Sequence, residues 1–433
     1  MLLDMSFLIA LQLKLELFAW KLYNIIIMNK PFVKWAGGKE GELKYILPAL
    51  PKQISKYVEP FVGGGALYFA LSSEKLLARY INDFSKELFQ LYRVIADSFD
   101  LFEDEIGSLM HNWSVLENIV KNNSEFFVKC CLDYRNDCND ILLDDALTAF
   151  TYAHSDEFNG LLRTGQNAEI SNFENEIKKY VIRKIKRIRK IDVENRFSKD
   201  EILSNIETAF KAGYYTHIRN LYNKRNNPEL SSFFSKPKES AYFYFLREYC
   251  YSSMFRYNKK GEFNVPYGGM GYNKKSILTK VGVIKETNIP AYLRDTHICN
   301  QDFEEFLKSI ELSANDFVFL DPPYDSEFNE YAQNSFTKKD QERLANWAKS
   351  TKAKVMIVIK NTDFIFDLYS KLGFNISSFD KKYMVNFNNR NDRKVKHLLI
   401  TNYWYGPAQR RIFYRSNAKS SICTQGPNFY RRD

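Results

Sequence analysis

Eight consecutive residues, Phe317-Val318-Phe319-Leu320-Asp321-Pro322-Pro323-Tyr324, carry the most specific chemistry in the chain. The four apolar residues read as a short buried strand. It must stop at Asp321, because two prolines cannot continue a central strand. Ligands bind at the carboxyl ends of strands in open α/β sheets. The run therefore places a carboxylate, a rigid turn and an aromatic ring together at the mouth of a site. The prolines fix φ and leave the Pro322 carbonyl as an acceptor. A planar amino group on a flat ring fits: Asp321 and the Pro322 carbonyl accept its two protons, and Tyr324 stacks on the ring. A strand ending in a Pro-rich turn is the plain reading of the same residues, so the rest of the chain decides.

Three further stretches end in residues that suit a ligand. Tyr57–Phe69 reads as strand, glycine-rich turn and helix, with Gly63, Gly64 and Gly65 letting backbone approach a ligand closely. The spacing is not that of a nucleoside-triphosphate P-loop. Arg79-Tyr80-Ile81-Asn82-Asp83 ends a second strand in an acid, about 20 residues after the glycines, where nucleoside-binding folds hold ribose hydroxyls. Any adenosine-bearing cofactor fits there; a solvent-facing Asp before a helix over Ser85–Ile95 is the alternative. His297–Phe303 looks like another strand end, with Asp302 placed for a second contact. Upstream, Gly37-Gly38 forms a loop between Trp35, an aromatic face, and Lys39, a cation for a carboxylate or phosphate; a surface turn with a packed Trp is the alternative.

These residues need strands to carry them, and the order of apolar runs supplies an α/β sheet. After the Asp321 run come a helix to about Ser350, a strand over Lys354–Lys360, a helix over Asp363–Leu372 and a last strand over Leu398–Tyr403. Residues 97–212 are charged and helical in pattern, without an obvious catalytic cluster. Lys178–Lys190 carries eight basic residues around an apolar stripe of Val181, Ile185 and Ile188. That suits a phosphate-facing or merely solvated helix face. In 213–225, Tyr214, Tyr215, Arg219, Tyr222, Lys224 and Arg225 interleave rings with charge, which we read as a nucleic-acid surface rather than a tyrosine-rich core. A helix over Ala241–Tyr251 follows, then a β-hairpin near 255–269 turned by Lys259-Lys260-Gly261.

The balance of 62 Lys+Arg against 52 Asp+Glu gives +10 and favours a polyanionic partner. Six cysteines without a C-x-x-C pair and five scattered histidines disfavour a zinc site and suit free thiols in a reducing cytoplasm. Lys14, Glu16 and Lys21 interrupt the apolar runs of residues 1–28, so neither a transmembrane span nor a signal peptide is expected. Met28 is the expected natural start, with 1–27 an upstream extension. The tail 406–433 is basic, polar and Gly/Pro-containing, and is expected to hold little packed structure.

Taken together, the runs Phe-Val-Lys-Trp-Ala-Gly-Gly-Lys (32–39), Glu-Pro-Phe-Val-Gly-Gly-Gly (59–65), Asn82-Asp83, Arg-Tyr-Asn-Lys-Lys-Gly-Glu-Phe-Asn-Val-Pro-Tyr-Gly (256–268), Asp-Pro-Pro-Tyr (321–324) and Asn-Ser-Phe-Thr (334–337) resemble, in order, the Dam-type adenine-specific DNA N6-methyltransferases. The resemblance covers roughly 30–97 and 213–403. It implies a Rossmann-like α/β domain binding S-adenosyl-L-methionine, with no metal. It gives Trp35, Lys39, Gly63, Gly65, Asp83 and Asp302 to the cofactor and Asp321 to the junction of cofactor and target adenine. Pro322 and Tyr324 complete the catalytic set, and Lys34, Tyr251, Arg256, Asn258 and Lys259 face double-stranded DNA. Catalysis then needs positioning and electrostatics rather than a covalent intermediate, on a base taken out of the duplex.

The implied organisation is a catalytic domain at 29–96 and 284–405, with a mostly helical target-recognition domain inserted at 97–283. A restriction endonuclease acting separately is a possible companion. Tyr251-Ser252-Ser253-Met254 departs from the aromatic-Asn-Gly-Leu run of the family, and 97–212 is longer than compact members need. Phe158-Asn159-Gly160-Leu161-Leu162-Arg163 matches that run better. A shift of 93 residues lays Phe150, Phe158, Arg163 and Glu169 on Phe243, Tyr251, Arg256 and Glu262, as a diverged second copy would. Rival readings are a cytosine-N4 methyltransferase, with Ser more typical in place of Asp321, an RNA or protein-glutamine methyltransferase, with Asn there, and a catalytically silent DNA-binding protein.

Overall fold

The computed structural model describes residues 30–35, 37–72, 75–161, 167–192, 197–228, 233–254, 256–323, 336–382 and 394–405. The N-terminal extension, Arg163, Tyr324, Asn334-Ser335 and the basic tail lie outside the described residues.

Seven strands form one sheet: β1 (Lys56–Glu59), β2 (Ala78–Asn82), β3 (His297–Cys299), β4 (Phe317–Leu320), β5 (Lys354–Lys360), β6 (Asn375–Lys382) and β7 (Lys394–Thr401). Their spatial order is β3-β2-β1-β4-β5-β7-β6; the first five are parallel, and β7 runs antiparallel to both neighbours. Every residue of Phe317-Val318-Phe319-Leu320 is buried, as expected for a strand covered on both faces. The two-residue period divides them: Phe317 and Phe319 join Tyr57 in one core, Val318 and Leu320 join Val58 in the other.

The helices are α1 (Leu43–Ile46), α2 (Ala66–Ala70), α3 (Lys86–Asp97), α4 (Phe99–Asn122), α5 (Ser124–Asp137), α6 (Asp140–Ala153), α7 (Ser155–Leu161), α8 (Asn167–Asp192), α9 (Lys199–Asn223), α10 (Lys236–Tyr249), α11 (Leu278–Glu286), α12 (Ile289–Arg294), α13 (Phe303–Lys308), α14 (Lys338–Ser350) and α15 (Asp363–Lys371). Helices α3 to α12 all lie in the connection between β2 and β3. The core on that face runs without a break from Phe32 and Tyr57 through Phe102 to Tyr214 and Phe245. The other face is covered by α13, α14 and α15 through Phe306, Leu344 and Ile365.

The structure changes several expectations. Tyr214, Tyr215 and Tyr222 are buried core residues of α9, not a nucleic-acid surface. They fall on one stripe of the helix, and helical spacing hides rings however many charges stand between them. Arg219 donates to the Val265 carbonyl at 3.2 Å, and Arg225 pairs with Glu87 and Glu239. The expected hairpin is short: Tyr257 bridges Phe263, the Asn258 N–H donates to the Glu262 carbonyl at 2.9 Å and the Asn264 N–H to the Arg256 carbonyl at 3.2 Å. Strand β7 begins four residues earlier than its apolar run and ends at Thr401. Strand β6, Asn375-Ile-Ser-Ser-Phe-Asp-Lys-Lys, escaped the sequence reading because a polar edge strand has little apolar alternation. The two proposed copies agree at one described pair and differ at another: Phe150 and Phe243 are both buried in helices, while Phe158 is fully buried in α7 and Tyr251 is 48% exposed in a 3₁₀ turn.

Strand order reverses between β1 and β4, and their carboxyl ends open the cleft expected at such a switch point. Asn82, buried at the end of β2, ties the neighbouring strand ends together. Its amide donates to the carbonyls of Pro60 (3.0 Å) and Gln301 (3.1 Å), and its carbonyl accepts the Gln301 N–H at 2.9 Å. Asn82→Ala leaves those backbone groups buried without partners. It should lower unfolding stability by about 3 kcal/mol, measured as a fall in denaturation midpoint; an unchanged midpoint would show that water replaces the amide.

Candidate active site

Each acid of the cleft sits where its strand ends. Glu59 closes β1, Asp83 follows β2 and Asp321 follows β4. The loop 33–39 lies across them and contributes Trp35 and Lys39. Trp35, Lys39, Glu59, Gly63, Phe319 and Asp321 line the resulting cleft.

Lys39 is only 2% exposed. Its ammonium is ion-paired with Asp321 and donates to the Gly37 carbonyl at 2.9 Å. The turn after Asp321 is held from α14, where the buried Gln341 donates to the Pro323 carbonyl at 3.1 Å. Pro322 is buried beside it. Asp83 accepts the Gly63 N–H at 2.9 Å on one oxygen and the Ser85 N–H at 3.0 Å on the other. Burial still pushes its carboxyl up to about 6, against the pull of those two donors.

Glu59, the first residue of the glycine-rich run, is also part of the cleft. It is 2% exposed and accepts the Tyr57 hydroxyl at 2.8 Å. Burial pushes it well above the usual carboxylate range; the Tyr57 hydrogen bond opposes this, and Asp321 and Asp83 reinforce it. Phe84, next to Asp83, is a large ring left 54% exposed. Arg247 of α10 is 1% exposed. It stacks on Trp35 with its guanidinium carbon 4.2 Å from the ring centroid, and donates twice to the Lys34 carbonyl, at 2.9 and 2.7 Å. An exposed aromatic beside a strand-end acid was a readable signal. Nothing in the sequence paired Arg247 with Lys34.

Asp302 stands at the end of β3 as expected, but its Oδ1 is engaged. It caps α13 through the Glu304 N–H at 2.9 Å and accepts Arg343 at 2.8 Å. Arg343 also binds Glu304 and Asp340.

The other expected site residues lie on a separate element. Tyr251, Arg256, Asn258 and Lys259 belong to the turn after α10, and Arg256 and Lys259 are exposed. Arg256 donates to Asn264 at 3.1 Å. Asn258 builds the turn itself: its carbonyl accepts the N–H groups of Lys260 (2.9 Å) and Glu262 (3.0 Å), and its amide donates to the Glu262 carboxylate at 2.8 Å. Helix α9 docks this turn through Asn223, which exchanges two hydrogen bonds with the Phe263 backbone at 3.0 and 2.8 Å. Lys34, next to Trp35 in the chain, is exposed.

Among the described residues no group of His, Cys, Asp and Glu could hold a metal ion, and no helix is long and apolar enough to cross a membrane. The cleft is acidic, with one buried ammonium against three carboxyls. It suits a ligand that brings hydroxyl donors and a flat ring.

The family model described as "D12 class N6 adenine-specific DNA methyltransferase" matches residues 35–195 and 188–385. Type II methyltransferase M.CviBI of Paramecium bursaria Chlorella virus NC1A is 28% identical, over 86% of this chain and 100% of the relative. Type II methyltransferase M.MjaIII of Methanocaldococcus jannaschii is 27% identical, over 86% of this chain and 99% of its own. A DNA adenine methylase of Haemophilus influenzae is 23% identical, over 80% and 85%.

The tightest steric condition of the cleft is at Gly63. Its φ is +50°, and an added Cβ would lie 2.9 Å from Trp35 Cδ1. Gly63→Ala should cost about 1–2 kcal/mol for the left-handed backbone alone, and more as Trp35 is displaced. A calorimetric melting temperature equal to wild type would mean that the loop simply relaxes.

Proposed function

The chain belongs to the D12 class of N6 adenine-specific DNA methyltransferases, and we propose that it moves the methyl group of S-adenosylmethionine onto an adenine N6 turned out of duplex DNA. The observation that carries this reading is the strand-end Asp321, fixed by the buried Lys39 at the mouth of an acidic cleft. The adenine N6 lone pair is conjugated into its ring and is a poor nucleophile. Hydrogen bonds from N6 to Asp321 and the Pro322 carbonyl favour a tetrahedral nitrogen and aim its lone pair at the methyl carbon. Tyr324 would stack on the extruded base. Most of the acceleration then comes from positioning and fixed charge. Lys39, paired with Asp321, holds it in place.

The donor's features match the cleft. Ribose hydroxyls would donate to Asp83, and Phe84 would cover the adenine face. The methionine ammonium and the sulfonium would find Glu59 and Asp321. Trp35 and the backbone of Gly63 and Gly65 would form the walls, and Asp302 would reach the cofactor through Oδ2. The helical segment at 97–283 serves as the target-recognition domain. Its turn reads base edges through Arg256, with Tyr251, Asn258, Lys259 and Lys34 at the DNA. An arginine placed bidentately on guanine discriminates by about 1–3 kcal/mol. A restriction endonuclease of matching specificity would act as a separate protein.

Sequencing modified bases in DNA from a host expressing the chain tests the reaction and reveals the site. N6-methyladenine in one short sequence is expected; unmodified DNA would refute the reading. Asp321→Ala should lower kcat at least a hundredfold, as removal of one transition-state acceptor does, with DNA affinity kept. Activity within tenfold of wild type would remove Asp321 from its role, and calorimetry would report cofactor binding separately.

Cofactor affinity should depend on pH through Asp83. Hydroxyl donors favour its ionised form, and the carboxyl titrates at about 6 without ligand. Binding of S-adenosylhomocysteine should therefore strengthen as pH rises from 5 to 7, with proton release, and the slope should vanish in Asp83→Asn. The ligand-free protein changes in the opposite sense. A carboxyl with a raised folded pKa contributes stability that declines from pH 4 through 6. A pH-independent affinity in wild type would place the ribose elsewhere.

A further inference from the structure

One acidic side chain joins the cofactor side of the cleft to the DNA-facing turn. Glu87 lies in the first turn of α3, four residues after Asp83. Its Oε2 accepts the Ser85 hydroxyl at 3.2 Å. Ser85 caps α3, and its N–H holds Asp83 at 3.0 Å. On its other oxygen, Glu87 accepts the hydroxyl of Tyr257 at 3.0 Å and Arg225 at 3.2 Å. Tyr257 is the residue after Arg256, bridged to Phe263 across the turn. Arg225 follows α9, the helix that docks the same turn, and is anchored in addition to Glu239 at 2.9 Å. The polar path is therefore Asp83–Ser85–Glu87–Tyr257, and every link is a direct hydrogen bond.

We propose that Glu87 is a positioning residue that couples occupancy of the cofactor site to the placement of the base-reading turn. The inference rests on the roles given above to Asp83 and to the turn at 256–264. A ligand that fixes Asp83 fixes Ser85 and the first turn of α3, and so sets where Glu87 presents its oxygen to Tyr257. Tyr257 in turn sets the backbone from which Arg256 projects. By linkage the effect is reciprocal: correct DNA tightens cofactor binding by the same factor.

The test measures a ratio rather than an affinity. The duplex carrying the site mapped by base sequencing is titrated with and without saturating S-adenosylhomocysteine. Wild type should bind the duplex on the order of tenfold more tightly with the analogue, within the usual range for coupled sites. Tyr257→Phe removes only the hydroxyl and keeps the ring on Phe263. It should bring that factor within twofold of unity while leaving analogue binding to the free protein unchanged. Glu87→Gln, which keeps the shape and removes the charge, should do the same. Asn223→Ala, which loosens the turn without touching Glu87, should weaken DNA binding equally with and without the analogue. An unaltered factor in Tyr257→Phe and Glu87→Gln, or a factor of one in wild type, would overturn the coupling while leaving the proposed reaction standing. No binding of the analogue to wild type would instead overturn the cofactor reading, and the coupling with it.

Discussion

Three carboxyls meet at the carboxyl ends of β1, β2 and β4, and the fold must keep them together out of bulk water. Like charges in a poorly solvated cleft repel strongly, and each acid is stabilised differently. Asp321 has the Lys39 ammonium, Asp83 has two backbone donors, and Glu59 has a tyrosine hydroxyl and a carboxyl pushed toward its neutral form. The sheet order is the condition for all of this. At the reversal between β1 and β4, adjacent strand ends leave room for a ligand. The loop 33–39 must then close over the gap to bring Lys39 in.

That loop is fastened by Arg247 from the helical side. Burial pushes its guanidinium down to about 10, which leaves it charged at neutral pH. Two donors to one carbonyl and a face on Trp35 fix both the loop backbone and the ring that walls the cleft. A lysine could supply the charge but not the planar fork or the stack. The same helix ends two residues before Tyr251, so the element that fixes the cleft wall also launches the turn at 256–264. The unbroken core from Tyr57 to Phe245 makes these two tasks one packing problem.

What could be read from the sequence was what depends on local order. Asp83 and Asp321 were legible because an apolar run that stops at an acid marks a strand end, and the helix capped by Ser85 begins where its side chain accepts the Leu88 N–H. What depends on partners across the fold was not. Tyr214, Tyr215 and Tyr222 look like a binding surface when written in a line and form a core when wound on α9. Arg247 sits in the aromatic run Tyr-Phe-Tyr-Phe-Leu-Arg-Glu-Tyr, where its charge suggests a surface position. Its reason for being buried is Lys34, 213 residues away. Glu87 likewise reads as an ordinary first-turn acid until Tyr257 and Arg225 arrive from the far side of the helical segment.

The charge distribution then explains how a polyanion can serve an acidic site. The chain is basic overall, at +10, yet its cleft carries three carboxyls. Phosphates are attracted to exposed cations such as Lys34, Arg256 and Lys259, whereas Lys39, in the cleft, is buried and paired with Asp321. A nucleobase has no formal charge and offers an amino group, so it can cross from the first environment to the second while its backbone cannot. On the proposed reading, this segregation favours an extruded base over a threaded strand. In the proposed transfer the sulfonium becomes a neutral thioether and the positive charge passes to the nitrogen, with Asp321 beside both. A carboxylate at that point stabilises charge on either side of the transfer without moving.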